Sequence, residues 1–255
     1  MYGKSIVAIA IDCVGESLIR GRRRVVALVA RAGITAQEMT GRGMARSPID
    51  PSNISLRDFI AAVGSADGAH GIVSTAAVAG GLGSSLLLMV ATLPQTRSDA
   101  VADRPKLIEA ATVLTDVQQQ LMETIETETR VKLFAARHMP QASDAQRSER
   151  QAAIQLALRA SADVPLEVMR MCARGLELAA TVATHNARFA SADIQLGMAL
   201  LQAGFDGARS TLEGTLSSFT DVAYVMSVID EIARLSDETA AATRVAESFL
   251  KARPA

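Results

Sequence analysis

Three histidines, two cysteines, a glycine run and a few carboxylates are where this chain of 255 residues could do chemistry. His70, His138 and His185 fall at expected helix ends and never pair at metal-ligand spacing, so each reads as a solvated or capping side chain. Cys13 and Cys172 are far apart and have no His or Cys neighbours, which suggests neither a disulfide framework nor a zinc site. No metal is expected, and a reducing cytoplasm is the simplest location. Gly80-Gly-Leu-Gly83 is superficially similar to a phosphate-binding loop, but no strand precedes it and the residues around it are apolar and helical in pattern. The expected role is therefore close helix-helix contact. Glu126 shares a helical stripe with Met122 and Leu133, which puts a carboxylate at the margin of the core, although a lone helical Glu is ordinarily a surface residue.

The elements that position these residues are helices. Ser55-Leu-Arg-Asp58 has the form of an N-cap with an acidic first turn and opens a short amphipathic helix through Val63. The stretch from Ile72 to Leu93 has no charged residue and is long enough to cross a bilayer. Its Gly, Ser and Thr content, and the lack of a second span of that length, favour a buried core helix over a membrane helix. From Pro105 a helix is expected to about His138, with Leu107, Leu114, Leu121 and Ile125 on one seam. Asp144 to about Ala162 forms the next, ending before Val164-Pro165, and Pro165 opens another that runs through Met169, Cys172, Leu176 and Leu178 to about His185. Ser191-Ala-Asp193 begins a helix whose Leu196, Leu200 and Leu201 are expected to face inward. Phe219, Val222, Met226, Ile229 and Ile232 mark the last helix, which is expected to fade into a polar, Ala-rich tail.

Composition agrees with an all-α class: no Trp, two Tyr, and no sustained strand alternation after residue 53. The expected architecture is a multi-helix bundle around the central apolar helix. A net charge of −1 leaves no surplus of basic groups for a phosphate backbone or an acidic membrane surface, so neither nucleic acid nor a membrane is an expected partner. Residues 1–53 differ from the rest, with Arg20, Arg22, Arg23, Arg24, Arg31, Arg42 and Arg46 scattered among glycines and closed by Pro48-Ile-Asp-Pro51. They read as an N-terminal extension, as the product of a start codon placed too far upstream, or as a basic docking arm. Residues 54–255 form the expected helical domain.

Several stretches together resemble a known family: Ala76-Ala-Val-Ala-Gly-Gly-Leu-Gly83 with Met89-Val90, Arg150-Gln-Ala-Ala-Ile-Gln-Leu-Ala-Leu158, Ala162-Asp-Val-Pro-Leu166, and Ser191-Ala-Asp193 with its helix. Over roughly Leu56 to Asp237 the sequence resembles the cyclodeaminase and methenyltetrahydrofolate cyclohydrolase family, the all-helical fold also found as one domain of formiminotransferase-cyclodeaminase. The resemblance implies a helical homodimer and a folate-type small molecule as partner, a tetrahydrofolate carrying a one-carbon unit, with no additional cofactor. The reaction implied is hydrolytic opening of 5,10-methenyltetrahydrofolate, or loss of ammonia from the 5-formimino form to make it.

Opening a cationic methenyl bridge requires a held water, a base for its proton and an acid for the departing ring nitrogen. The resemblance implies Asp193 and Glu126 as the acid-base candidates, Arg97 as an anion contact, and Gly71, Ser74, Thr211 and Thr215 as substrate-binding positions. Asp193 can equally serve as a helix N-terminal residue that complements the dipole. The family's Pro-Gly-Gly-Gly-Ser turn falls on His70-Gly-Ile-Val-Ser74, where only Gly71 and Ser74 remain and the β-branched Ile72 and Val73 resist positive φ. Its Gly-Lys-Lys-Lys-Tyr segment keeps only Arg97 as a basic residue, near Thr96-Arg-Ser-Asp-Ala100. Its Asp-x-Asp-Ala segment keeps one acid, Glu126, a methylene longer. Its Asn-Val-x-Ile-Asn segment has hydroxyls at Thr211 and Thr215 in place of amides. Two functions are therefore expected from different classes: a folate one-carbon enzyme, or a catalytically inactive relative that acts as a binding or assembly protein.

Overall fold

A computed structural model describes residues 55–65, 71–93, 104–124, 138–139, 143–185 and 190–251. Among these, six helices are formed and no strand: α1 Leu56–Val63, α2 Ile72–Thr92, α3 Arg104–Glu123, α4 Asp144–Thr184, α5 Ser191–Leu216 and α6 Val222–Lys251. The all-α expectation holds. The described residues fall into two compact units: 55–124 with 162–251 form one, and the stretch of α4 up to Ser161 belongs to the other. Residues 1–53, Ile125, Glu126 and Arg97 lie outside the described residues, as does the expected run of α3 beyond Thr124.

α1 starts as its sequence requires. Ser55 is extended at φ −67° and ψ 151°, its hydroxyl accepts the Asp58 N–H at 3.1 Å, and the same hydroxyl donates to the Asp58 carboxylate at 2.7 Å. This N-cap satisfies one of the first-turn donors that a helix cannot pair internally.

α2 is the centre of the larger unit, packed chiefly against α5 and next against α3. Its contacts with α5 involve backbone as much as side chains. A Cβ added at Gly83 would stand 2.6 Å from the Gly197 carbonyl oxygen and 2.9 Å from the Leu201 nitrogen. One added at Gly204 would stand 2.7 Å from the Ala76 carbonyl oxygen and 3.1 Å from the Gly80 nitrogen. Gly80 faces the Cys172 sulfur at 2.7 Å by the same measure, so α4 closes over the crossing. The glycine run is thus a helix-helix contact surface, as its setting in an apolar helix suggested. The α3 seam is also as expected, with Leu107, Leu114 and Leu121 all buried, and the Gln118 amide donates to the Ser85 hydroxyl across the α2/α3 contact at 2.8 Å.

Three expectations are corrected, and the covered face of α6 is defined. Residues 144–184 form one helix rather than two, with Pro165 inside it. Pro165 lacks the N–H that would bond the Ser161 carbonyl, and the division between the two compact units falls at that residue. On α5, Leu196 is 54% exposed, because the buried face runs through Ile194, Gly197, Met198, Leu201, Gly204, Phe205 and Ala208. Glycines that carry no hydrophobic signal occupy the centre of that face, and this displaces Leu196 to its flank. On α6 the covered stripe is Val228, Ile232, Leu235, Thr239 and Ala246, whereas Val222, Met226 and Ile229 are exposed. The tail expected to fade is helical to Lys251.

Cys172 is fully buried against Gly80 and Gly204, and desolvation pushes its thiol up to about 12. The reactive species is the thiolate, so Cys172 labels only through opening of the core. In a Cys13→Ser variant at pH 8, Ellman's reagent is expected to react at the rate of unfolding and immediately in denaturant. Rapid labelling of the folded protein would contradict the burial.

α4 and α6 are joined at the surface. Arg170 on α4 bonds Glu231 on α6 at 3.1 Å, and Arg234 bonds the same carboxylate at 2.9 Å as well as Glu238 at 2.6 Å. The hydrogen bond from Arg234, assisted by Arg170, holds the Glu231 carboxyl at about 2 against an ordinary 4.5. A depressed folded-state value means stability that is present above about 4.5 and is lost as pH falls towards 2. Solvent screening limits it to about 1 kcal/mol. Glu231→Gln is expected to lower stability by that amount at pH 7, and the difference from wild type, followed by urea unfolding, is expected to vanish as pH approaches 2.

Candidate functional site

The candidate site lies at the start of α2. Gly71 is its N-cap, extended at φ −85° and ψ −179°, and offers no capping side chain to the first-turn N–H groups. Ile72 and Val73 lie in the first turn of the helix, so the branched residues that resist positive φ are accommodated in α-helical backbone. The Gly71 carbonyl accepts both the Thr75 N–H and the Thr75 hydroxyl, each at 3.2 Å.

Beside this end lies a groove of about 410 Å³, lined by Val63 of α1, by Gly71, Ile72, Thr75, Ala76 and Ala79 along α2, and by Ala203 and Gly207 of α5. Its size falls in the range of small-molecule sites, and small side chains on two facing helices create it. Gly207 differs from Gly83 and Gly204: its added Cβ would meet Ala76 Cβ at 3.3 Å and no backbone atom. No charged side chain belongs to the lining among the described residues. The groove can therefore receive an apolar slab, and the positive end of the α2 dipole favours a carboxylate at its mouth.

The residues expected to share a site are only partly brought together. Gly71 lines the groove, and Ser74 is one residue before Thr75 on the same turn of α2. α2 and α5 run antiparallel, as Gly83 faces Gly197 while Ile72 faces Gly207. Thr211 therefore lies one turn beyond the groove and Thr215 a turn further, with their hydroxyls donating to the Gly207 and Leu212 carbonyls at 3.0 and 2.7 Å. Asp193, in the first turn of α5, is at the opposite end of the pair. The rise from Asp193 to Gly207 is roughly 20 Å at about 1.5 Å per residue, so within one chain Asp193 does not reach the groove. No cluster of potential metal ligands occurs among the described residues. The lining residues Val63, Thr75, Ala79, Ala203 and Gly207 were not singled out from sequence. The signal that could have found them is the pairing of small residues four apart, Thr75 with Ala79 and Ala203 with Gly207.

An all-helical unit built on a glycine-rich crossing, with an apolar groove at one end of it, defines the class of helical domain. The sequence profile described as formiminotransferase-cyclodeaminase matches residues 55–234, and the chain belongs to that family. The fold agrees. It is similar to the crystal structure of formiminotetrahydrofolate cyclodeaminase from Thermotoga maritima, with a TM-score of 0.69 and 17% identity over 79% of this chain and 98% of that one. No curated protein matches the chain.

Proposed function

We propose that this chain binds a one-carbon-bearing tetrahydrofolate in the groove between α2 and α5 and acts on the one-carbon unit. The reaction is that of a 5,10-methenyltetrahydrofolate cyclohydrolase or a formiminotetrahydrofolate cyclodeaminase, in the cytoplasm and without a further cofactor. The observation that carries the reading is the groove at Gly71, which lies where the family resemblance expects a ligand-binding turn and has the size and apolarity for an aromatic ligand. The family membership supports it independently.

Acid-base chemistry needs a carboxylate near the bridge, and a homodimer would supply one. The outward side of α2 carries Leu82 and Met89, which are 52% and 41% exposed, and the helix has no charged residue. Leu82 stands midway along Ile72–Thr92. A second copy packed antiparallel about Leu82 buries this stripe and turns the Asp193 end of one chain towards the Gly71 groove of the other. Light scattering is expected to give the mass of two chains for the wild type. Leu82→Arg, which would bury a charge at the two-fold axis, is expected to give the mass of one. A wild-type mass of one chain would refute the dimer.

The activity is tested by mixing purified protein with 5,10-methenyltetrahydrofolate and following loss of its absorbance against buffer. An unaccelerated decay at high protein concentration, together with unchanged ammonia release from the formimino form, rejects turnover. Ligand binding raises the melting temperature even without catalysis. A melt unmoved by every folate tested rejects the folate reading itself.

A further inference from the structure

We infer that Gly207 is a specificity-determining position of the groove, whose missing side chain serves the bound ligand rather than the crossing of α2 and α5; the inference rests on the folate reading above. Glycine inside a helix costs stability, because it loses the most backbone freedom on folding and is the poorest helix former after proline. α5 nevertheless carries four, at positions 197, 204, 207 and 214. Helix packing accounts for the first two. An added Cβ at Gly204 would stand 2.7 Å from the Ala76 carbonyl oxygen, and one at Gly197 would stand 3.1 Å from the Gly83 carbonyl oxygen. Helical backbone cannot turn aside, so a side chain at either position forces the two helices apart.

Three residues beyond Gly204 the demand is different. Among the described residues, an added Cβ at Gly207 meets Ala76 Cβ at 3.3 Å and Ile72 Cγ2 at 3.8 Å, and both are side-chain atoms. The two axes have begun to diverge there, and a movement of a few tenths of an ångström relieves the closer contact. Close packing therefore does not call for a glycine at 207. What Gly207, Ala76 and Ile72 share is the groove, which all three line, together with Ala203 one turn earlier on the same face of α5. A methyl group at 207 would stand among these lining atoms, where the helices part, and would narrow the slot available to an aromatic ring. In an apolar site a single methylene is worth about tenfold or more in discrimination, so a vacant side-chain position here sets the thickness of ligand that enters.

Urea unfolding and isothermal titration with 5-formyltetrahydrofolate, carried out on the same variants, test the assignment. Gly207→Ala is expected to hold a urea midpoint at or near that of wild type while weakening binding about fivefold or more. Gly207→Leu, with three further carbons in the slot, is expected to weaken it by about 50-fold or more. Gly207→Ser takes its place if the leucine variant does not fold. Gly214→Ala, whose added Cβ meets nothing within 4 Å, is expected to bind as wild type does. A urea midpoint of Gly207→Ala far below that of wild type makes Gly207 a packing residue and overturns the inference. So does an affinity that Gly207→Ala leaves unchanged, or one that Gly214→Ala lowers equally. Each of those outcomes leaves the folate reading standing, whereas a wild-type protein that binds no folate rejects that reading and this inference with it.

Discussion

Gly83→Ala is expected to lose about 3 kcal/mol of unfolding free energy, or to fail to fold, although alanine is the better helix former. Two effects oppose each other. Replacing an interior helical glycine by alanine ordinarily gains about 1 kcal/mol. Against it, the new Cβ would sit 2.6 Å from the Gly197 carbonyl oxygen and 2.9 Å from the Leu201 nitrogen, both backbone atoms of α5 that no rotamer change can move. The helices must separate, and the α2/α5 contact that buries Leu87, Leu201 and Phe205 loosens with them. A loss of that size is a large share of the ~5–15 kcal/mol typical of a domain. The control is Gly214→Ala near the end of α5, where an added Cβ meets nothing within 4 Å. There only the propensity term remains, and a gain of about 0.5–1 kcal/mol is expected. Urea midpoints measured for both variants decide the matter: equal shifts of the same sign would mean that the two helices do not approach as closely as described.

Ala203→Phe is expected to weaken binding of 5-formyltetrahydrofolate by roughly 50-fold or more while leaving the melting temperature of the free protein within a few degrees of wild type. Ala203 is exposed and lines the groove from α5, so a larger side chain enters the cavity without displacing core atoms. Excluding about 100 Å² of ligand ring from apolar contact at about 25 cal/mol per Å² amounts to about 2.5 kcal/mol, close to two powers of ten in affinity. The same substitution is expected to abolish turnover in step with binding if the groove is where the reaction occurs. An unchanged dissociation constant with a filled groove would move the ligand elsewhere on the molecule.

Much of the larger unit was legible in advance. The Ser55 cap, the chargeless helix from Ile72, and the Leu107, Leu114 and Leu121 seam all follow from local chemistry, because a cap needs one hydroxyl three residues from its N–H and a buried seam repeats every turn. The reading of Gly80-Gly-Leu-Gly83 as a contact surface needed only its apolar setting. Other features were out of reach. The exposed Val222, Met226 and Ile229 are as regular as the covered Val228, Ile232 and Leu235, and periodicity cannot say which stripe a neighbour covers. Pro165 marks a helix start as readily as an interior position, and only the chain on both sides shows it to be interior.

The candidate site divides along the same line. Residue types alone establish the helical class, the close-packing role of the glycine run and the resemblance that points to Gly71 and Asp193, since each of these is a property of neighbours in the chain. Tertiary structure alone decides that α2 and α5 cross antiparallel, so that Ile72 meets Gly207 while Asp193 stands at the far end of the same pair. The reason is that glycines set the register of this crossing through backbone approach. A residue without a side chain leaves no trace in hydrophobicity, yet it allows the shortest distance between two helices.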